Sequence, residues 1–151
     1  MKKVLYIGQY TEGTTSKMRA EILEELLEAD FQVIDIHLPF FQASKIERSL
    51  GFRFKKGPLI RRINKYILKH LKSHYDLIWV DKGIFITPKT TKLLKSETQK
   101  LVHFTPDMMF YANKSKHFLK SIPLYDLVVT TKQKELSFYN RYLDKPKIIL
   151  T

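Results

Sequence analysis

The stretch that decides the fold is MKKVLYIGQYTEGTTSKMRAEILEELLEADFQVIDIH, residues 1–37. Its first apolar run, Lys3–Gly8, is short, contains β-branched residues and ends at a glycine, which predicts a buried strand. Apolar residues then recur at helical spacing between Met18 and Leu27, with glutamates on the other positions. The run Gln32–His37 predicts a second strand. A strand, a helix and a strand in this order form a βαβ unit, which builds a parallel sheet with a right-handed crossover.

The rest of the chain repeats this alternation. The segment from Pro39 to Gly57 is irregular and aromatic, and we expect no regular element there. Further strands are predicted at Asp76–Asp81, Lys100–Phe104, Asp126–Thr130 and Lys147–Leu150, separated by helices at Pro58 to about Ser73, from Thr87 or Pro88, at Lys116–Ser121 and from Thr131 to about Arg141, with a loop at Thr105–Ser115. The pattern implies an α/β fold, a Rossmann-like, doubly wound, mainly parallel sheet with helices on both faces.

The length and composition limit the class of protein. A chain of 151 residues suits one domain with one core. It contains no cysteine, which excludes disulfides, thiolate metal sites and cysteine nucleophiles. The first apolar run is too short for a signal peptide, and no stretch reaches the roughly 18 apolar residues of a spanning helix, so we expect a cytoplasmic protein. Because the chain stops inside or just after a predicted strand, we expect residues 1–151 to be one domain of a longer protein.

Positive charge is concentrated in one part of the sequence. The chain has 27 Lys and Arg against 15 Asp and Glu, a formal net charge of +12, and the stretch from Arg48 to Tyr75 contains no acidic residue. The alternatives are a solvated helix face and a patch for an anionic partner such as nucleic acid, anionic lipid or a phosphorylated polymer. The sequence contains no nucleic-acid recognition motif, which disfavours the first of these partners. The predicted surface patch for an anionic partner comprises Arg53, Lys55, Lys56, Arg61, Arg62, Lys65 and Lys69.

Candidate site residues follow the predicted strands, because ligands of open α/β sheets bind beyond the carboxyl ends of the strands. The loop after the first strand suits an anion at a helix N-terminus, or it is a tight turn in which Thr15 or Ser16 caps the helix. Asp81 and Lys82 end the third strand. The segment around the fourth strand is the richest in polar side chains, although a histidine there can be a core residue and an aspartate a local turn residue. The candidates are Gly13, Thr14, Thr15, Ser16, Asp81, Lys82, His103, Asp107 and Asn113.

A metal site is not expected. His70 and His74 are four residues apart on a predicted helix, but the segment lacks the glutamate of a zinc protease, and nearby lysines repel a cation.

Several short segments, taken in order, resemble the N-terminal half of CgeB-like glycosyltransferases, which have the GT-B fold. The resemblance covers almost the whole chain and rests on the order of the segments more than on any one of them. The segments are Gly8-Gln9-Tyr10 with Gly13-Thr14-Thr15-Ser16 and Arg19, then residues 76–83, then residues 103–110 with Asn113 and Ser115, then residues 125–132.

The resemblance implies a glycosyltransferase of two Rossmann-like domains, of which this chain is the N-terminal, acceptor-side domain. The C-terminal donor-binding domain is absent from the chain, so we expect it to be inactive alone. No metal or cofactor is implied, since the sugar nucleotide is a co-substrate. Asp107 is the implied general base and His103 the second candidate. Asp81 and Asn113 would hold acceptor hydroxyls, while Lys82 and residues 13–16 would face the donor diphosphate.

The implied partners are a sugar acceptor and the missing C-terminal domain. The basic stretch fits an anionic glycan or a lipid-linked acceptor, with peripheral contact at the inner face of the membrane.

Two alternatives remain at this point. The first is a stand-alone Rossmann-like binding module for a nucleotide, a phosphorylated ligand or a nucleic acid. The second is a receiver-like signalling domain with Asp81 as phosphoacceptor, which the lack of an acidic cluster after the first strand disfavours, because a magnesium ion would lack ligands.

Overall fold

The computed structural model describes residues 1–111, 113–144 and 147–151. Six strands alternate with seven α-helices and two short 3-10 helices over this part of the chain. In chain order they are β1 (Lys3–Gly8), α1 (Thr15–Leu27), β2 (Asp30–Asp35), α2 (His37–Phe41), α3 (Lys45–Phe54), α4 (Pro58–His70), β3 (Tyr75–Asp81), α5 (Pro88–Ser96), β4 (Thr98–Thr105), α6 (Lys116–Ser121), a 3-10 helix (Ile122–Leu124), β5 (Leu127–Thr130), a 3-10 helix (Gln133–Glu135), α7 (Leu136–Tyr139) and β6 (Ile148–Leu150).

All six strands form one parallel sheet in the order β2-β1-β3-β4-β5-β6. The predicted Rossmann-like, doubly wound fold is therefore confirmed. The chain moves one way from β1 to β2 and the opposite way from β2 to β3, so the strand order reverses between β1 and β3. This reversal is the position at which open α/β sheets bind their ligands.

The reversal also decides how the helices are distributed. Right-handed crossovers place α1 on one face of the sheet and the later helices on the other. On the second face, strand side chains such as Leu5, Ile78 and Leu101 pack with α4 residues Ile63 and Ile67 in one buried core. These side chains are fully buried, which makes this face the main source of hydrophobic stabilisation.

On the first face, α1 is the helix that the described residues provide, and it packs against β1. Farther along the same face, Val102 and Phe104 of β4 and Val129 of β5 form a small separate cluster. Beside it an apolar groove of about 440 Å³ runs between the sheet and α1. The α1 side chains Met18, Ile22 and Leu26 are more than half exposed. The helical spacing of these residues was sufficient to predict the helix, but not to predict that they bury little surface.

A glycine sets the distance between α3 and α4. A methyl group at Gly51 would place its carbon 2.6 Å from Cδ2 and 2.9 Å from Cβ of Leu59, which is fully buried. We expect Gly51→Ala to lower the free energy of unfolding by about 1 kcal/mol, because this overpacking outweighs the better helix propensity of alanine. Urea unfolding followed by circular dichroism measures the change.

The exposed neighbour Ser49 provides the control for this prediction. Ser49→Ala should change the free energy of unfolding by no more than about 0.5 kcal/mol. A Gly51→Ala protein as stable as the Ser49→Ala protein would mean that α3 and α4 have room for the methyl group.

Three sequence predictions about elements were wrong. Residues 39–57 are not irregular, since α2 and α3 lie there, and α3 begins with a capping box in which Ser44 and Glu47 bond to each other's backbone N–H. Thr14, and not Thr15 or Ser16, is the N-cap of α1. The helix predicted from Thr131 to about Arg141 is reduced to a 3-10 turn and the four residues of α7.

Other boundaries differ by a few residues. Strand β2 lies two residues earlier than predicted, because its register pairs Lys3 with Asp30 and Gly8 with Asp35. Of the loop predicted at Thr105–Ser115, Thr105 is the last residue of β4, Ala112 lies outside the described residues, and the other positions are confirmed as loop. In the part of the chain described here, no helix has both the length and the apolar character to traverse a bilayer.

Candidate functional site

A cleft of about 250 Å³ opens at the carboxyl ends of β1 and β3, where the strand order reverses. It receives side chains from the segments that follow β1, β2, β3 and β4, and from α3. We call it the switch-point cleft. Its lining residues are Gln9, Ser16, Ile36, His37, Phe52, Asp81, Lys82, Gly83, Ile84, Phe85, Asp107 and Asn113. Five of the nine candidates from the sequence, Ser16, Asp81, Lys82, Asp107 and Asn113, are therefore brought together.

Asp81 anchors one wall of the cleft. Its side chain is 1% exposed, and Oδ2 accepts hydrogen bonds from the Tyr6 hydroxyl and from Nη1 of Arg19, each at 2.5 Å. Burial and the nearby Asp81 carboxylate raise the pKa of the Tyr6 phenol, which keeps its proton available for this bond. The guanidinium of Arg19 also lies 4.0 Å from the centre of the Phe104 ring. Such a buried, paired carboxylate is a poor phosphoacceptor, which further disfavours the receiver alternative.

Gly8 makes this network compact. A Cβ atom at Gly8 would lie 2.8 Å from Cε1 of Tyr6 and 3.0 Å from Cβ of Asp81. The Tyr6 hydroxyl oxygen also lies 2.9 Å from the hydroxyl of Ser16, which can donate to it, and 2.9 Å from the backbone carbonyl oxygen of Ser16. The end of β1 and the first turn of α1 are thus joined to β3 by polar contacts.

Lys82 turns the chain sharply after β3. It has a φ of 65°, in the left-handed region, and Gly83 follows with a φ of 62°. Its backbone N–H donates to the carbonyl of Phe104 at 2.8 Å, so the turn is tied to β4. Its side chain is 44% exposed, and Nζ lies 3.0 Å from Oδ2 of Asp107. The turn therefore positions an ammonium group beside the carboxylate that follows β4.

Asp107 is the accessible carboxylate of the cleft. Its side chain is 36% exposed and pairs with Lys82, whereas Asp81 is enclosed. Its backbone N–H bonds to the hydroxyl of Thr105 at 3.1 Å. Asp107 is thus fixed at both its backbone and its carboxylate and still open to a ligand.

A buried glutamate holds the loop after Asp107. Glu135 is fully buried, and its two carboxylate oxygens accept the backbone N–H groups of Met109 and Phe110, each at 2.9 Å. These two bonds hold the backbone of the loop at Met109 and Phe110.

His103 lies beneath the cleft and does not line it. It is fully buried, Nε2 lies 2.8 Å from the backbone carbonyl of Lys82, and its ring packs between Phe118 and Tyr125. Burial lowers the pKa of the imidazole to about 4. Its position supports the Lys82 turn from below, and its imidazole is not among the groups that line the cleft.

The loop predicted to hold a phosphate contributes only Ser16 to the cleft. Gly13 is exposed with a φ of 75°. The hydroxyl of Thr14 caps α1 by accepting a hydrogen bond from the backbone N–H of Lys17. Thr15 lies on the opposite side, along the apolar groove of the first face. The prediction that residues 13–16 act together is not reflected in this geometry.

The basic residues predicted as one patch differ in their surroundings. Arg61, Lys65 and Lys69 are exposed along α4, whereas Arg62 is paired with Glu47 at 3.2 Å. The Nζ atom of Lys55 lies 4.1 Å from the centre of the Phe52 ring, and burial lowers its pKa. Arg53, Lys55 and Lys56 line a second depression together with Lys114, Lys116 and His117.

The structure adds cleft residues that sequence reasoning missed. His37 lies just beyond β2, and burial lowers the pKa of its imidazole, whose Nδ1 has no hydrogen-bond partner among the described residues. The strand-end rule that predicted Asp81 and Asp107 applies equally to this position, so the sequence carried a signal for it. Phe52 and Phe85 form an aromatic wall with ring centres 6.0 Å apart. Phe52 lies in a segment predicted to be irregular, so its orientation had no sequence signal.

The cleft combines hydrogen-bonding groups of several kinds with an aromatic wall. Within residues 1–111, 113–144 and 147–151, no three side chains of His, Asp or Glu come together as a metal-binding group. No family model and no curated protein matches the chain. The arrangement can bind a small polar ligand and take a proton from it at Asp107.

Proposed function

We propose that this chain is the acceptor-side domain of a sugar-nucleotide-dependent glycosyltransferase. The observation that carries the proposal is the accessible Asp107 carboxylate, held by the Lys82 ammonium at the mouth of the switch-point cleft. Neighbouring carboxylate, amide and imidazole groups can exchange hydrogen bonds with the hydroxyls of a sugar. The resemblance of the sequence to CgeB-like enzymes points to the same class of reaction.

The size of the cleft supports a small acceptor. Its volume of about 250 Å³ falls just below the roughly 300–1,000 Å³ of pockets for drug-sized ligands. One sugar ring fits such a space, but a complete sugar nucleotide does not. The donor would therefore be bound mainly by a second domain, and this chain alone would bind acceptor without transferring sugar.

The proposed step uses Asp107 as general base. Its carboxylate takes the proton of an acceptor hydroxyl while that oxygen bonds to the anomeric carbon of the donor, and the nucleoside diphosphate leaves with the bonding electron pair. Lys82 holds the carboxylate in place and offsets its charge. Phe52 and Phe85 present apolar rings to the sugar face, and Asn113 offers an amide to its hydroxyls.

A titration of the isotope-labelled domain tests the binding half of the proposal. Monosaccharides and disaccharides should shift the backbone amide signals of Lys82, Asp107 and Asn113 in nuclear magnetic resonance spectra. Asp107→Asn should weaken these shifts, and Asp144→Asn, an exposed carboxylate outside the cleft, should not. Shifts caused only by nucleotides or oligonucleotides would favour the binding-module alternative and overturn the acceptor assignment.

Catalysis is tested in the protein expressed from its complete natural gene. Loss of a general base typically lowers the rate by about 10²–10⁴-fold, and we expect a fall in kcat of this order for Asp107→Asn. The assay measures nucleoside diphosphate release from a panel of UDP-, GDP- and dTDP-sugars with the acceptors found by titration. Unchanged kcat in the Asp107→Asn protein would remove Asp107 from the mechanism.

A further inference from the structure

Helix α3 presents a row of exposed apolar side chains. Ile46, Leu50 and Phe54 lie four residues apart and therefore on one face of the helix. They are 73%, 47% and 57% exposed, although their side chains are among the most apolar in proteins. Gly51, on a neighbouring side of the helix, packs against Leu59 of α4. We call these three residues the α3 apolar row.

The α3 apolar row ends in a basic groove. Phe54 lines this groove of about 370 Å³ together with Arg53, Lys55 and Lys56, and with Lys114 and Lys116 from the segment at the start of α6. Arg53, Lys56, Lys114 and Lys116 are exposed. Phe54 therefore belongs to both surfaces, and the guanidinium of Arg53 lies 5.5 Å from the centre of its ring.

The two segments that form the basic groove contain no carboxylate. Residues 48–75 and residues 108–125 include neither Asp nor Glu. The carboxylate of α3 itself belongs to Glu47. It accepts the backbone N–H of Ser44 and forms an ion pair with Arg62. The positive charge of the groove is thus not neutralised within these segments.

We propose that α3 docks this domain on a bilayer that contains anionic lipids. Aliphatic and aromatic side chains on one helix face, with Lys and Arg beside them, match the surface of a helix that lies in the membrane interface. The α3 apolar row would enter the boundary between headgroups and acyl chains, and the cations of the basic groove would contact lipid phosphates. The exposed aliphatic residues favour a bilayer over a nucleic acid, whose bases stack on aromatic rings. The inference does not depend on the proposed function.

Vesicle flotation with the purified 151-residue chain tests this proposal. The chain should bind vesicles of phosphatidylcholine mixed with phosphatidylglycerol and should bind pure phosphatidylcholine vesicles much more weakly. Raising the salt concentration should reduce binding, because it screens exposed charges. Equal binding to both kinds of vesicle, or no binding to either, would overturn the proposal.

Matched variants separate the α3 surface from other exposed groups. Leu50→Ser and Lys56→Glu should each lower the partition coefficient on anionic vesicles by about tenfold. The controls are Ile22→Ser, which removes a half-exposed apolar side chain from α1, and Lys92→Glu, which reverses an exposed charge on α5. Melting curves should be similar for all four proteins. The assignment would be contradicted if the control variants lost vesicle binding while the α3 variants kept it. It would also be contradicted if the chain bound a single-stranded oligonucleotide and did not bind vesicles.

Discussion

Replacing Asp81 with alanine should lower the free energy of unfolding by about 3 kcal/mol, because removing one partner of a buried ion pair leaves the other uncompensated. The side chain of Asp81 is 1% exposed and that of Arg19 only 20%, so water compensates the stranded guanidinium poorly. The Tyr6 hydroxyl retains its bonds to Ser16 and contributes less to the loss. Urea unfolding followed by circular dichroism gives the value.

The switch-point cleft contains its own control for this measurement. Asp107 is also paired with a cation, but both side chains are more than a third exposed, so Asp107→Ala should cost less than about 1 kcal/mol. Removing both partners, in Asp81→Leu with Arg19→Leu, should recover much of the stability lost in Asp81→Ala. Equal losses for Asp81→Ala and Asp107→Ala would mean that the Asp81 pair is not desolvated.

Acidification from pH 7 to pH 4 should destabilise the native protein more than the His103→Gln protein. Burial lowers the pKa of His103 from 6.5 to about 4, so the unfolded state binds a proton at a higher pH than the folded state does. The stability due to neutral His103 is fully present above pH 6.5 and is lost as the pH falls towards 4. This difference between the pKa values of the unfolded and folded states corresponds to a loss of about 3 kcal/mol in the free energy of unfolding over that pH interval.

The difference between the two proteins isolates His103. His37, Glu47 and Asp126 also have lowered pKa values, so they too destabilise the fold as the pH falls. Their contribution is present in both the native and the His103→Gln protein and therefore cancels in the comparison. Tyr125→Phe is the matched control, since Tyr125 packs on His103, and burial raises its pKa away from the acid range. That variant should lose stability at every pH while keeping the native pH dependence. Parallel curves for native and His103→Gln proteins would show that His103 is protonated in the folded state at mildly acid pH.

The sheet was predictable because its signals are local. The apolar runs at β1 and β3 could be recognised within single segments, and alternation with helices implied parallel pairing. The capping box of Ser44 and Glu47 is an equally local signal, and it marks the start of α3. The short segment at Glu135 had no such signal, because its bonds reach backbone groups 25 and 26 residues away.

The candidate site was predictable to the extent that it follows strand ends. Asp81, Lys82 and Asp107 were found by that rule. The difference in burial between Asp81 and Asp107 was not, since it depends on Arg19 reaching across from α1. His103 shows the same limit, because a strand position does not reveal which face is covered, and the covered face makes this histidine a core residue.

The reversal of strand order between β1 and β3 has a consequence for the newly made chain. Strand β1 pairs with β2, which is complete once Asp35 has been synthesised, and with β3 on its other edge. Strand β3 ends at Asp81, which is synthesised 46 residues after Asp35. At a translation rate of roughly 5–20 residues per second, the apolar β1 edge stays unpaired for roughly 2–9 s. During that interval the ribosome-bound chain exposes an unpaired, apolar strand edge that can aggregate. Early binding of this edge by a chaperone should therefore raise the yield of correctly folded domain.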